Sequence, residues 1–299
     1  MSRRDLLGVG VGVVGAAAAV LGGGLSGCGG TSAAQAHDGD VQTLRYGQDP
    51  SQFVELSLPS TGTGAVPVAV VIHGGFWRSA YGFDLGQPLA ATLPPRGWAA
   101  LNIEYRRVGN GGGYPATLLD VAAAIDLLAD AGQAAARMKG LALDLGTVVT
   151  IGHSAGGHLA GWAATRGRQA SGSPGATPVV EVSAVVSQAG VLDLRACARD
   201  GLGADAAQAF LGGTPDQVPE RYDEASPIEW LPLGVPTLCV HAPGDGNVPI
   251  SQSERFVAAA TAAGDDAELD TVDGDHFAVI DAEDPAWSLV LDWLDRLPR

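Results

Sequence analysis

The sequence predicts an α/β protein in which a mostly parallel central sheet carries helices on both faces. Three observations predict it. Short, nearly continuous apolar runs recur along the chain, as strands buried on both faces require. Segments with helical apolar spacing separate them, and such alternation is how parallel strands are joined. Hydrophobic residues fill 46% of 299 positions, ample for a sizeable core, and no internal repeat breaks the pattern.

Element by element, residues 54–58 alternate apolar and polar, the signature of an outer antiparallel strand with one buried face. Residues 66–72 are the first continuous apolar run, and 98–103, 147–151, 182–187 and 237–240 share its character. Residues 268–272 supply a late strand. Helices are expected at 116–129, 155–165, 251–263 and 285–297. In the first of these, Leu118, Val121, Ile125 and Leu128 fall at helical spacing and would lie on the sheet. Residues 109–113 and 170–178 read as loops. Between 191 and 235 only a short helix near 204–211 is expected, so any cap over a site would be minimal.

The first segment reads as an address. Arg3 and Arg4 precede an apolar run from Leu6 to Leu25, as in twin-arginine export signals. Leu25-Ser26-Gly27-Cys28 then resembles the bacterial lipoprotein cleavage box, in which the cysteine is acylated and becomes the first mature residue. The expected organisation is a signal peptide over 1–27, a lipidated flexible tether over 28–43 and a catalytic domain over 44–299. An uncleaved membrane anchor and a cleaved, secreted form are the alternatives. All three place the catalytic part outside the cytoplasmic membrane, and the first anchors it to that membrane through Cys28. Beyond the tether, Cys197 and Cys239 remain as possible disulfide partners, although Cys239 sits in a strand-like run and reads as a core residue.

The balance of 33 acidic against 17 basic residues, a net charge of −16, argues against nucleic acid as a partner. A metal is not expected: His153 and His158 are five apart rather than four, and no cysteine pair stands near them. Glycines 109–113 do not end in the Lys-Ser/Thr of a phosphate loop, so no cofactor is implied. The oligomeric state is not legible.

The chemistry centres on Ser154, between Gly152 and Gly156, after an apolar run and before a helical one. A sharp strand-to-helix turn lifts such a serine out of the sheet edge, and the flanking positions must then lack side chains. With 43 glycines, the bare G-x-S-x-G spacing is expected by chance roughly one time in three, so context decides. His73-Gly74-Gly75-Phe76-Trp77 follows the run 66–72, where its amides would project beside the serine, and the Ala155 amide adds a donor for a developing oxyanion. Of six histidines, His37 lies in the tether, His73 and His153 in motif turns, His158 on the following helix, and His241 at a strand end. His276, in the last loop, is free to act as base. Asp245, after the strand 237–240, is the acid that would orient it, with Asp193 and Asp275 as alternatives. Serine, acid, histidine is the chain order of α/β-hydrolases.

Four motifs in order, HGGFW at 73–77, NIEYRR at 102–107, GHSAGGH at 152–158 and DHF at 275–277, resemble the α/β-hydrolase superfamily over residues 44–297. They are most similar to the branch holding kynurenine formamidases and small feruloyl-esterase-like (BD-FAE-like) carboxylesterases. The resemblance implies the α/β-hydrolase fold, a Ser154–His276–Asp245 triad and an oxyanion hole of Gly75, Phe76 and Ala155. It implies supporting roles for His73, Gly74, Gly152 and Gly156, and a structural pairing of Glu104 with an arginine. Phe76 stands where related esterases carry a third glycine, and would narrow the acyl side. The expected function is hydrolysis of short acyl or aryl esters, with a small-molecule ester or amide as partner. N-formyl amide hydrolysis, a prolyl-oligopeptidase-type peptidase and a non-catalytic surface binding protein are the alternatives, in that order.

Overall fold

The computed structural model describes residues 41–298 apart from Thr63; the expected export signal, Cys28 and the chain through residue 40 lie outside the described residues. Eight strands form one sheet: β1 (Val41–Arg45), β2 (Phe53–Ser57), β3 (Ala65–Ile72), β4 (Ala99–Ile103), β5 (Ala142–His153), β6 (Ala184–Gln188), β7 (Thr237–His241) and β8 (Ala267–Thr271). Their order is β1-β2-β4-β3-β5-β6-β7-β8. The β1–β2 and β2–β4 pairs are antiparallel and all later pairs parallel. This is a mostly parallel sheet with helices on both faces, the α/β-hydrolase fold.

Alternation in β3 explains the two layers. Val66, Val68, Val70 and Ile72 pack with helices α2 (Ala116–Asp126), α3 (Ala131–Met138) and α4 (Ala155–Thr165). Ala69 and Val71 face the other way, toward α1 (Gln87–Thr92) and α9 (Pro285–Arg296). In α2 the expected stripe is real, because Leu118, Val121 and Ile125, with Leu128 just beyond the helix, are completely buried. Cys239 points to α8 (Ser251–Ala262), whose Phe256 and Ala260 share its cluster. Cys197 and Cys239 are both buried and free, so the disulfide does not form in this structure.

Three expectations change. The boundary at 44 falls inside β1, where Val41, Gln42 and Thr43 pair with Ser57, Leu56 and Glu55. β1 is polar and exposed on alternate residues, and its pairing with β2 rather than its own composition makes it a strand. β5 starts at Ala142, five residues early, because Asp144 and Gly146 interrupt the apolar run while a register shift at Pro67/Val68 keeps the β3 ladder going. The segment 191–235 holds three helices, α5 (Leu194–Arg199), α6 (Leu202–Leu211) and α7 (Pro219–Ala225), so the cap is more built than the expected single short helix. Asp193 N-caps α5 by accepting from the Ala196 amide at 2.8 Å, which accounts for that carboxylate structurally. Among the described residues no helix is long and apolar enough to cross a membrane.

Adjacent leucines of α2 test the packing. Leu118→Ala, on the buried stripe, is expected to lower unfolding free energy by about 2–4 kcal/mol. Leu119→Ala, 46% exposed, should change it by less than about 0.5 kcal/mol, both read from urea unfolding curves.

Candidate active site

Ser154 joins β5 directly to α4 with φ 56° and ψ −117°, a left-handed conformation forced on a non-glycine residue. The glycines on either side make the turn possible. A Cβ on Gly152 would stand 2.0 Å from the Gly156 carbonyl oxygen, and one on Gly156 would stand 2.0 Å from the Ile72 carbonyl oxygen. Both contacts are backbone, so neither neighbour can turn aside. The Ser154 amide donates to the Gln188 carbonyl at 2.8 Å, tying the elbow to the end of β6.

The loop after β3 lies against this elbow. A Cβ on Gly74 would meet the His153 carbonyl oxygen at 2.7 Å and the Ser154 Cβ at 3.1 Å. Gly75, Phe76 and Trp77 then run at positive φ, 111°, 51° and 55°. Among the described residues no hydrogen bond is donated by the Gly75 or Phe76 amide, which leaves both for an incoming oxygen. His73 stacks on Tyr105 at 4.3 Å, and the Tyr105 hydroxyl donates to the His73 carbonyl at 2.7 Å. Glu104 pairs with Arg107 at 2.9 Å, while Arg106 binds Asp120 at 2.8 Å, so the NIEYRR segment uses its second arginine for the expected pairing. Burial works to raise the Glu104 carboxyl, but His73, Arg107 and the Tyr105 amide outweigh it and hold the group below the carboxylate range. Through Arg107, which donates to the Tyr81 carbonyl, this pair steadies the residue whose side chain lies on Gly75.

Histidine and acid converge from two loops. His276 Nδ1 donates to Asp245 Oδ2 at 2.6 Å, and Asp245 Oδ1 accepts from the Asn247 and Val248 amides at 2.8 and 2.9 Å. Burial opposes ionisation of Asp245, yet hydrogen bonds from His241, His276 and those two amides drive its carboxyl far below the ordinary range. Asp275 accepts from the Phe277 amide at 2.8 Å and serves its own turn. His153 Nε2 donates to the His276 carbonyl at 2.9 Å, with the rings 4.5 Å apart, so the residue before the serine grips the loop of the histidine. That link joins residues 123 apart in sequence and had no signal in the chain beyond the motif itself.

His158 is completely buried, held by Trp77 Nε1 at 3.2 Å and donating from Nε2 to the Ala225 carbonyl at 2.8 Å. It packs against the cap rather than the sheet, because Phe210 of α6 stacks on Trp77 at 4.8 Å. The other unforeseen member is His241, 3.3 Å from Asp245. Among the described residues no group of three or more His, Cys, Asp or Glu side chains is placed to hold a metal.

A sheet of this order, with a serine elbow after β5, a carboxylate after β7 and a histidine after β8, defines an α/β-hydrolase of the serine hydrolase type. The chain belongs to the BD-FAE family, whose model matches residues 54–259. It is 30% identical over 224 residues to Esterase LipC of Mycobacterium tuberculosis, a match covering 71% of this chain and 53% of that protein. The chain thus spans about half the length of that curated relative. The bifunctional GH43-CE of Bacteroides eggerthii superposes with a TM-score of 0.70 at 24% identity, covering 85% of this chain and 37% of that one. Butyrate-bound esterase 2 of Thermogutta terrifontis gives 0.67 at 22% identity, covering 86% and 92%.

The buried imidazoles generate a pH prediction. Burial, with His276 nearby, pushes His153 down to about 3, and burial pushes His158 down to about 4. Both are depressed from about 6.5, so the unfolded chain binds protons that the native state refuses. Their contribution to stability is present above pH 6.5 and is lost as pH falls toward 4. Urea unfolding between pH 6.5 and 5 should show unfolding free energy falling by roughly 1 kcal/mol per pH unit for each histidine. His158→Gln should remove about half of that slope.

Proposed function

We propose that the chain is an esterase acting on short acyl or aryl esters, with Ser154 as nucleophile. The observation that carries this reading is the 2.6 Å bond from His276 to a buried, ionised Asp245, on a loop tied to the elbow residue His153. Ser154 Oγ attacks the ester carbonyl carbon while His276 Nε2 takes its proton. The amides of Gly75, Phe76 and Ala155 receive the oxyanion. The tetrahedral centre collapses, the carbon–oxygen bond to the alcohol breaks, and His276 returns the proton to the leaving alkoxide. Water then enters by the same steps and releases the acid. Asp245 keeps the proton of His276 on Nδ1 and balances the imidazolium.

Short acyl groups are supported by the Phe76 ring, which lies against Gly203 and fills the space a third glycine would leave open. The butyrate held by the Thermogutta esterase is of this size. Aryl or glycosyl leaving groups are supported by Tyr81 and Phe277, 48% and 54% exposed, which touch Gly75 and His276. The carbohydrate esterase part named in the Bacteroides relative fits the same rim. The export signal over 1–27 and acylation of Cys28 would carry the enzyme to the outer face of the cytoplasmic membrane. The Arg3-Arg4 pair and the Leu25–Cys28 box support this placement.

On p-nitrophenyl acetate, Ser154→Ala should lower kcat/KM by at least about 10³-fold, and Asp245→Asn by about 10²–10⁴-fold. A fluorophosphonate should label the wild type and not Ser154→Ala. No label and no turnover of p-nitrophenyl acetate, p-nitrophenyl octanoate or N-formyl-kynurenine would overturn the reading. For the anchor, cells that express the full-length gene and are fed a radiolabelled fatty acid should yield a labelled mature chain, and Cys28→Ser should abolish the label while leaving hydrolysis intact.

A further inference from the structure

Asp245 does not serve His276 alone. His241, the last residue of β7, is completely buried, and its Nε2 lies 2.9 Å from the Val248 carbonyl and 3.3 Å from Asp245 Oδ2. A carbonyl can only accept, so Nε2 carries the proton. Nδ1 is then an acceptor, and the Ser253 hydroxyl on α8 stands 2.8 Å from it. The donors line up in one direction: Ser253 Oγ–H to His241 Nδ1, and His241 Nε2–H to Val248 O and Asp245 Oδ2. Oδ2 is also the oxygen that accepts from His276. Two imidazoles therefore share one carboxylate oxygen, and two amides occupy the other.

We infer that His241 is a positioning residue for the reaction: it fixes the Asp245 carboxylate and sets how strongly that carboxylate holds the imidazolium of His276. The inference rests on the Ser154–His276–Asp245 reading above. A carboxylate with one rotatable plane and a saturated set of donors cannot swing away from His276, and charge drawn toward His241 is charge withheld from His276. The titratable groups that face the His241 ring are Asp245 on the following loop, His276, His153 from β5 and Cys239 within β7. Ser253 from α8 is neutral.

Two near-isosteric substitutions separate this role from simple packing. In His241→Gln the amide N–H reaches the former Nε2 position and still meets Asp245. In His241→Asn it reaches only the former Nδ1 position, beside Ser253. With p-nitrophenyl acetate and folding checked by circular dichroism, His241→Gln should retain kcat within about fivefold, with the wild-type pH profile. His241→Asn should lose roughly 10- to 100-fold in kcat with little change in KM. The acid limb of its kcat/KM profile should move to higher pH, because a carboxylate freed of one donor holds the imidazolium more tightly. Equal losses in both variants, or none in His241→Asn, would overturn the inference. Ser154→Ala, run alongside, keeps the two levels apart: Ser154-independent turnover by the wild type sinks the esterase reading, whereas Ser154-dependent turnover indifferent to His241 sinks only this one.

Discussion

The close approach of the β5–α4 elbow to the end of β3 is the constraint on which the site depends. At Gly156 the backbone passes so near the Ile72 carbonyl that no side chain fits, and the same contact sets where the chain leaves β3. Ser154 is thereby pressed toward the following loop, and Gly74 in turn has room only for hydrogen against His153 and Ser154. The proposed nucleophile and oxyanion donors come from two strands that are parallel neighbours, and their spacing is inherited from the ladder between Ile72 and Gly152. A left-handed serine costs on the order of 1–3 kcal/mol in backbone strain. That strain is held by the Ser154 amide bond to Gln188 and by the buried face of α4.

Electrostatics complete what the backbone begins. An acidic chain would ordinarily discourage a further buried carboxylate, yet Asp245 is ionised because four donors converge on it from β7, its own loop and the β8–α9 loop. His153 beside it does not carry a competing charge: it is kept neutral by burial and spends its one proton on the His276 carbonyl. The histidine loop is therefore fastened twice, by side chain to Asp245 and by backbone to the elbow. Dislodging His276 would require breaking both.

The sheet was legible because its central strands are buried on both faces and must be largely apolar, as β3, β4, β6 and β7 are but for a few polar residues, most of them at strand ends. What escaped the sequence had the opposite character. β1 and the helices α3 and α7 are short, and polar or alanine-rich, and they exist because neighbours cover them rather than because their own residues insist. That Ser154, Asp245 and His276 follow β5, β7 and β8, and that the last two meet, could be read from motif and chain order, since each follows a strand whose place in the order is set. His241 and His153 could not be assigned their partners. A histidine ending a strand looks the same whether its ring meets solvent or a carboxylate four residues on, and only the fold of the turn decides.

The cap follows from the same reasoning about neighbours. Trp77 is completely buried between His158 and Phe210, so the loop that carries the proposed oxyanion donors is also the floor on which α6 rests. Arg78 reaches the Gly203 carbonyl and, at 3.0 Å, that of Ala204, where the chain runs through positive φ from Gly203 to Asp205. Phe76 packs on the same glycine. Three successive residues of the HGGFWR segment thus bind the cap, and the cap cannot lift without disturbing Phe76. In the proposed reaction, a change in the cap that enlarges the acyl side would also disturb the Phe76 amide proposed as an oxyanion donor, which ties the esterase proposed here to small acyl groups more firmly than the bulk of Phe76 alone would.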